Sequence, residues 1–117
     1  GNTLSIATDT ATIGGIDVGF RSVPILTSAA TAAIGAVGKG YNQTGNQTIP
    51  ASVFSAGDVF MIVNNTAGDI TITQGAGLTM RFAGTATSGN RTLAQRGVAS
   101  VIFLSGTVCH ISGAGLT

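Results

Sequence analysis

Charge is what this chain has least of. Charged residues make up 8% of its 117 positions, against roughly 25% in an average soluble domain, and glutamate is absent altogether. The four aspartates (Asp9, Asp17, Asp58, Asp69) and five bases (Arg21, Lys39, Arg81, Arg91, Arg96) are scattered singly, for a formal net charge of +1. Neutralising a phosphate backbone needs clustered Lys and Arg, so nucleic acid is excluded as a partner. Long apolar runs are lacking too. No stretch approaches the roughly 18 consecutive apolar residues of a membrane span, and the most apolar early segment, Ala29 to Val37, is broken by Thr31 and Gly35. No membrane partner is expected. The opening residues Gly1-Asn2-Thr3-Leu4 show no basic stretch leading into an apolar one, so no secretion signal is read and synthesis in the cytoplasm is expected. The single cysteine, Cys109, rules out an internal disulfide framework. Packing and strand pairing alone must hold the domain.

What is present is a succession of short apolar and threonine-rich runs separated by glycine and asparagine. Val59 to Val63, Ile70 to Thr73, Leu78 to Phe82, Val98 to Leu104 and Thr107 to Ile111 read as strands. The last two are joined at Ser105-Gly106, a hairpin signal. Thr48-Ile49-Pro50 ends another strand, because proline cannot donate to a ladder interior. Tyr41 to Gln47 and Gly84 to Asn90 read as loops. No helical crossover long enough for a parallel α/β fold is visible, and a short helical turn fits only within Ser28 to Val37. The expected class is all-β: an antiparallel sandwich or barrel of short strands with an extended N-terminal arm. The arm is assigned to residues 1–26, with extended segments around Leu4-Ile6 and Ile16-Val18-Phe20 hinged at Gly14-Gly15, and the sandwich or barrel to residues 27–117.

Two of these strands are apolar on both pleat faces. In Val98 to Leu104, Val98, Ile102 and Leu104 fall on one side and Ala99, Val101 and Phe103 on the other. A two-layer domain of this size buries one face, so the second needs a cover. A partner subunit is the favoured one, which makes the chain a homo-oligomer, a trimer being among the possible symmetries. Replacing Phe103 or Val101 by Asp is then expected to dissociate the oligomer or unfold the chain.

Groups for chemistry are sparse. Cys109 and His110 are the only nucleophile and base of the usual kind, but neighbours in a strand point to opposite faces and cannot serve one substrate or one metal. They read as a small buried thiol and a histidine on the other face. A metal would need His110 or an aspartate repeated around a symmetry axis. Gly35 to Tyr41 resembles a phosphate loop only superficially, since the spacing fails and Gly40 stands where Ser or Thr must follow the lysine. The sequons at Asn42, Asn46, Asn64 and Asn90 read as turn asparagines followed by strand threonines. Tyr41 with Asn42 and Gln43 has the aromatic and amide chemistry of a sugar contact, weakly supported by one tyrosine. No catalytic, cofactor-binding or metal-binding residues are assigned, no cofactor is expected, and the chain is read as not an enzyme.

From Ile49 to the end the order of motifs is distinctive: Ile49-Pro50-Ala51 with Phe54 and Gly57, Ile62-Val63-Asn64, Ile70-Thr71-Ile72, and Leu78-Thr79-Met80-Arg81 with Ala83-Gly84. Thr87 to Ala94, Gly97-Val98-Ala99 and Ile111 to Thr117 follow, and Gly14 to Arg21 looks like a lead-in. This order resembles a small β-rich module of bacteriophage virion proteins, found in short free-standing proteins and at the ends of tail fibres. Cys109 departs from it where relatives often carry tryptophan, and His110 where they carry an aliphatic residue. The resemblance implies a virion structural protein on the particle exterior, made in the host cytoplasm, with the major capsid protein or other virion proteins as partners. Capsid decoration is the first expectation. If the 117 residues are a whole gene product, with a methionine removed before Gly1, no room is left for a shaft. The alternative is a tail-fibre or spike module meeting host surface glycans through Tyr41 to Gln47 and Gly84 to Asn90.

Overall fold

A computed structural model describes residues 10–14, 16–19 and 23–117. The expected segment through Leu4 and Ile6, and Phe20 with Arg21, lie outside the described residues. The strands are β1 (Thr10–Ile13), β2 (Ile16–Gly19), β3 (Ile25–Thr27), β4 (Gly40–Gln43), β5 (Gln47–Ile49), β6 (Val59–Asn64), β7 (Ile70–Gln74), β8 (Thr79–Phe82), β9 (Arg91–Ser105) and β10 (Val108–Leu116), with a single 3-10 turn at Ile34–Ala36. The fold is all-β. Strands β1 and β2 form their own antiparallel hairpin, turning at Gly14, whose φ of 60° suits a residue without a Cβ. The other eight share one sheet, and β3, which starts at Ile25, belongs to it.

That sheet is mixed. The ladders β3–β4, β4–β6, β5–β7 and β8–β10 are parallel, while β9 runs antiparallel to β6, β7 and β10. Parallel neighbours need a crossover, and here other strands of the sheet supply it for three of the four ladders, while β3 reaches β4 through the segment carrying the 3-10 turn. The chain between β4 and β6 carries β5, and the chain between β8 and β10 is β9 itself.

The organising strand is β9. Its second half, Val98 to Ile102, pairs with β6, and its first three residues, Arg91 to Leu93, pair with β7. Thus β6 then β7, and outside them β4 then β5, follow β9 in two steps. Between the steps lies a seam where regular pairing stops. There Arg96 adopts a left-handed φ of 58°, and the β9–β10 register slips between Ala114 and Leu116. The sheet bends at the seam and encloses one core, to which Phe60, Ile62 and Phe103 contribute from one half and Ile49, Ile72 and Leu93 from the other. Phe54 stacks on Phe103 with ring centroids 4.7 Å apart and on Phe60 at 5.1 Å, and Tyr41 meets Phe60 edge-on at 6.0 Å. Each such pair adds about 0.5–1.5 kcal/mol to the area it buries.

The bend leaves backbone carbonyls without ladder partners, and buried amides supply the donors. Asn64, at the end of β6, donates to the carbonyls of Gly68, Leu93 and Ala94 at 2.8–2.9 Å. Gln43, at the end of β4, donates to those of Ala29 and Gly45 at 2.7 and 3.0 Å. Tyr41 to Gln47 is therefore not the expected loop. It contains β4, the seam turn and the start of β5, because Tyr41, Gln43 and Gln47 point inward. Strand β9 also begins at Arg91, seven residues before the apolar run at Val98.

Candidate functional site: the outward face of the main sheet

Register fixes which side chains share the outer face. Across β3, β4, β6, β9 and β10 one row runs Ile25, Gly40, Met61, Ser100, Ser112. The next runs Val59, Ile102, His110 and, on β8, Arg81. Ile25 is 65% exposed, Leu104 54%, Ile102 44% and Val59 38%. Gly40 lies between its neighbours in the first row: a Cβ built there would stand in ordinary contact, 3.6 Å from Ile25 Cδ1 and 3.8 Å from Met61 Cβ. The result is an apolar stripe across four strands, from Ile25 to Leu104, with His110 and Arg81 beyond one end and Lys39 beside Val59 and Met61. Beside Val59 and Met61, an open apolar pocket of about 220 Å³ is lined by Val23, Gly38, Lys39 and Phe60 as well.

The opposite face of the same strands is core. Ala99, Val101 and Phe103 on β9, and Phe60 and Ile62 on β6, are buried. The two-sided apolar pattern thus corresponds to one face packed inward and one open, and the open side carries Val98, Ile102 and Leu104. Phe103 and Val101 are at 0% exposure, so an aspartate at either position meets the core directly and the outcome to expect is unfolding.

The other singled-out residues do not converge. Cys109 lies opposite Phe103 in the ladder and is buried, while His110 lies opposite Ile102 on the outer face. Desolvation pushes the Cys109 thiol from the usual 9.0 up to about 12, so it is not poised as a nucleophile. Among the described residues no group of three or more His, Cys, Asp or Glu could hold a metal ion. Gly38 and Lys39 lie along β6, the Gly38 N–H donating to the Val59 carbonyl and the Met61 N–H to that of Lys39, and so do not form an open phosphate cradle. Tyr41 is 3% exposed and its hydroxyl accepts from the Ala33 N–H at 3.0 Å. Neither Tyr41 nor buried Gln43 is available to a sugar.

The asparagines act as connectors. Asn46 Oδ1 accepts from the Thr71 N–H and Asn90 Oδ1 from the Gln74 N–H, and Asn65 Oδ1 accepts from Arg96 Nη1 at 2.6 Å across the seam. Asn64 and Gln43 are lone amides beside turns, which carry no sequence signal of burial.

Two of the sheet's edges are covered. Segment 30–32 exchanges backbone bonds with Thr48 on β5, and the Gly84–Asn90 loop folds back on β8 through Phe82 N–H to Thr87 O and Gly89 N–H to Met80 O. Such covering guards against edge-to-edge pairing at β5 and β8. No protein-family model, no curated protein and no solved structure matches this chain.

Proposed function

We propose that this chain is a non-enzymatic structural protein of a bacteriophage virion, an oligomeric β-module on the particle exterior that decorates and cements the capsid. The motif order from Ile49 to Thr117 suggests the setting. The observation that carries the role is the outward stripe from Ile25 to Leu104, large apolar side chains held open on strands whose other face is already filled. A surface with so little charge to cover it suits burial against protein more than lasting exposure to water. The work of such a module is mechanical: apolar faces bury against sister subunits or shell proteins, and the N-terminal residues contribute further contacts. Nothing in that role needs the sealed Cys109 thiol or a metal.

The test is the copy number of this chain in purified particles, measured by quantitative mass spectrometry against the major capsid protein. Hundreds of copies per particle are expected. A handful would move the chain to the tail or fibre, and absence from particles would remove the virion reading.

A further inference from the structure

We propose that the outward stripe is the surface on which a second copy of this chain stacks, same face against same face. This deepens the oligomeric part of the reading above and does not depend on the virion setting.

Size favours it. Six strands at about 4.8 Å spacing, averaging about five residues across this face at about 3.3 Å rise, make a face of roughly 29 by 17 Å. That is about 490 Å² in projection, which side chains standing off the sheet raise towards the ~800 Å² of accessible surface per partner typical of a stable interface. The arrangement also suits an interface, with Val59, Met61 and Ile102 central and Lys39, Asn42, Leu104, Ser112, His110 and Arg81 around them.

Charge selects a copy of the same chain and its orientation. An isologous contact sets each patch against itself, which penalises any patch bearing charge at its centre. Val59, Met61, Ser100 and Ile102 bear none, and the charge nearest to them is Lys39, in the lining of the pocket beside Val59 and Met61. The middle of the strand order β3-β4-β6-β9-β10-β8 falls between β6 and β9. A two-fold axis along the strands at that point sets β8 of one copy over β3 of the other, keeping Arg81 and His110 away from their counterparts. It brings Val59 and Met61 of one copy onto Ile102 and Ser100 of the next, two sheets meeting face to face.

The full chain, at tens of micromolar, should sediment at twice its 11.5 kDa mass. Ile102→Asp and Ile102→Lys should each sediment as folded monomers, with far-UV circular dichroism and thermal transitions showing the fold retained, because Ile102 is half-exposed in the single chain. Val59→Asp should likewise be a folded monomer, and mixing it with Ile102→Lys should restore the dimer, since the axis sets Val59 of one copy on Ile102 of the other. A monomeric unmodified chain would overturn the proposal, as would an assembly whose mass Ile102→Asp leaves unchanged. Folded monomeric variants that fail to recombine would also overturn it, by showing that the stripe meets a different surface. None of these outcomes bears on copy number in particles, so the two readings fail separately.

Discussion

Asn64 Nδ2, on the last residue of β6, lies 2.9 Å from the Leu93 carbonyl oxygen of β9, 29 positions along the chain. The same nitrogen reaches the carbonyls of Ala94 and Gly68, and Oδ1 accepts from the N–H and hydroxyl of Thr66. One side chain at 0% exposure thus satisfies the seam from both directions. Asn64→Ala should cost about 3 kcal/mol, because buried carbonyls lose their donor at about 1–3 kcal/mol each and only some can recruit water. In a chain of this size that is a fall of roughly 10–20 °C in Tm, read by differential scanning calorimetry. Asn64→Asp should do no better, since a carboxylate keeps the Thr66 contacts but cannot donate to the three carbonyls.

The two buried glutamines should respond unequally. Gln43 Nε2 donates to Ala29 O and Gly45 O, and its Oε1 accepts from the Ala29 N–H and from Gln47 Nε2. Gln47 only duplicates this, donating to Ala29 O and to Gln43 Oε1, and its own Oε1 has no partner. Gln47→Met therefore removes an unsatisfied buried acceptor and leaves both of its former acceptors with another donor. A loss under about 1 kcal/mol is expected from urea midpoints, against about 2–3 kcal/mol for Gln43→Met, which orphans the Ala29 N–H and the Gly45 carbonyl. Equal losses would show that the duplicated bonds matter as much as the others.

Cys109 gives a pH signature. The folded state holds the thiol proton up to about pH 12, while an exposed thiol releases it near 9.0. The stability this contributes is complete below pH 9 and is lost as pH rises from 9 towards 12, at up to about 1.4 kcal/mol per pH unit, because the unfolded chain sheds the proton and the folded chain does not. Urea midpoints should fall across that window in the unmodified chain, and the fall should be shallower in Cys109→Ala. Native protein should also resist thiol reagents at pH 8 until denaturant is added.

These residues mark the limit of what could be read from the chain. Val59 to Val63, Ile70 to Thr73, Leu78 to Phe82 and Val98 to Leu104 announce themselves by apolar runs or alternation; three lie within strands and the other is β8 with Leu78 just before it. Tyr41 to Gln47 and Arg91 to Gly97 do not, because their inward positions are taken by Gln43 and Gln47 or flanked by Arg91, Gln95 and Arg96. Their burial depends on carbonyls exposed by a bend that forms only once distant strands have met. Parallel pairing likewise leaves no local trace, since the partner of β8 is β10 and not its neighbour in sequence. The stripe was half legible. A second apolar face on Val98 to Leu104 is plain in the sequence, but register and burial are needed to show that Ile102 and Leu104 look outward while Val101 and Phe103 fill the core.

The long hairpin itself is held to close tolerance at Gly113. Paired with Ala99 across the β9–β10 ladder, it adopts a φ of 155°, and a Cβ there would run into the Val98 carbonyl oxygen and stand 2.7 Å from Ala99 Cα. Both obstacles are backbone and cannot rotate aside, so Gly113→Ala must separate β10 from β9 at the point where the sheet approaches its seam. A loss above about 3 kcal/mol is expected, a large part of the roughly 5–15 kcal/mol that holds a domain of this kind folded. Gly68→Ala is the control. Nothing lies within 4 Å of a Cβ there, and the Gly68 carbonyl keeps its bonds from Asn64 and Thr66. That substitution should stay within about 0.5 kcal/mol of the unmodified chain in urea denaturation. A Gly113→Ala protein as stable as the Gly68→Ala control would mean that β9 and β10 are not packed this closely.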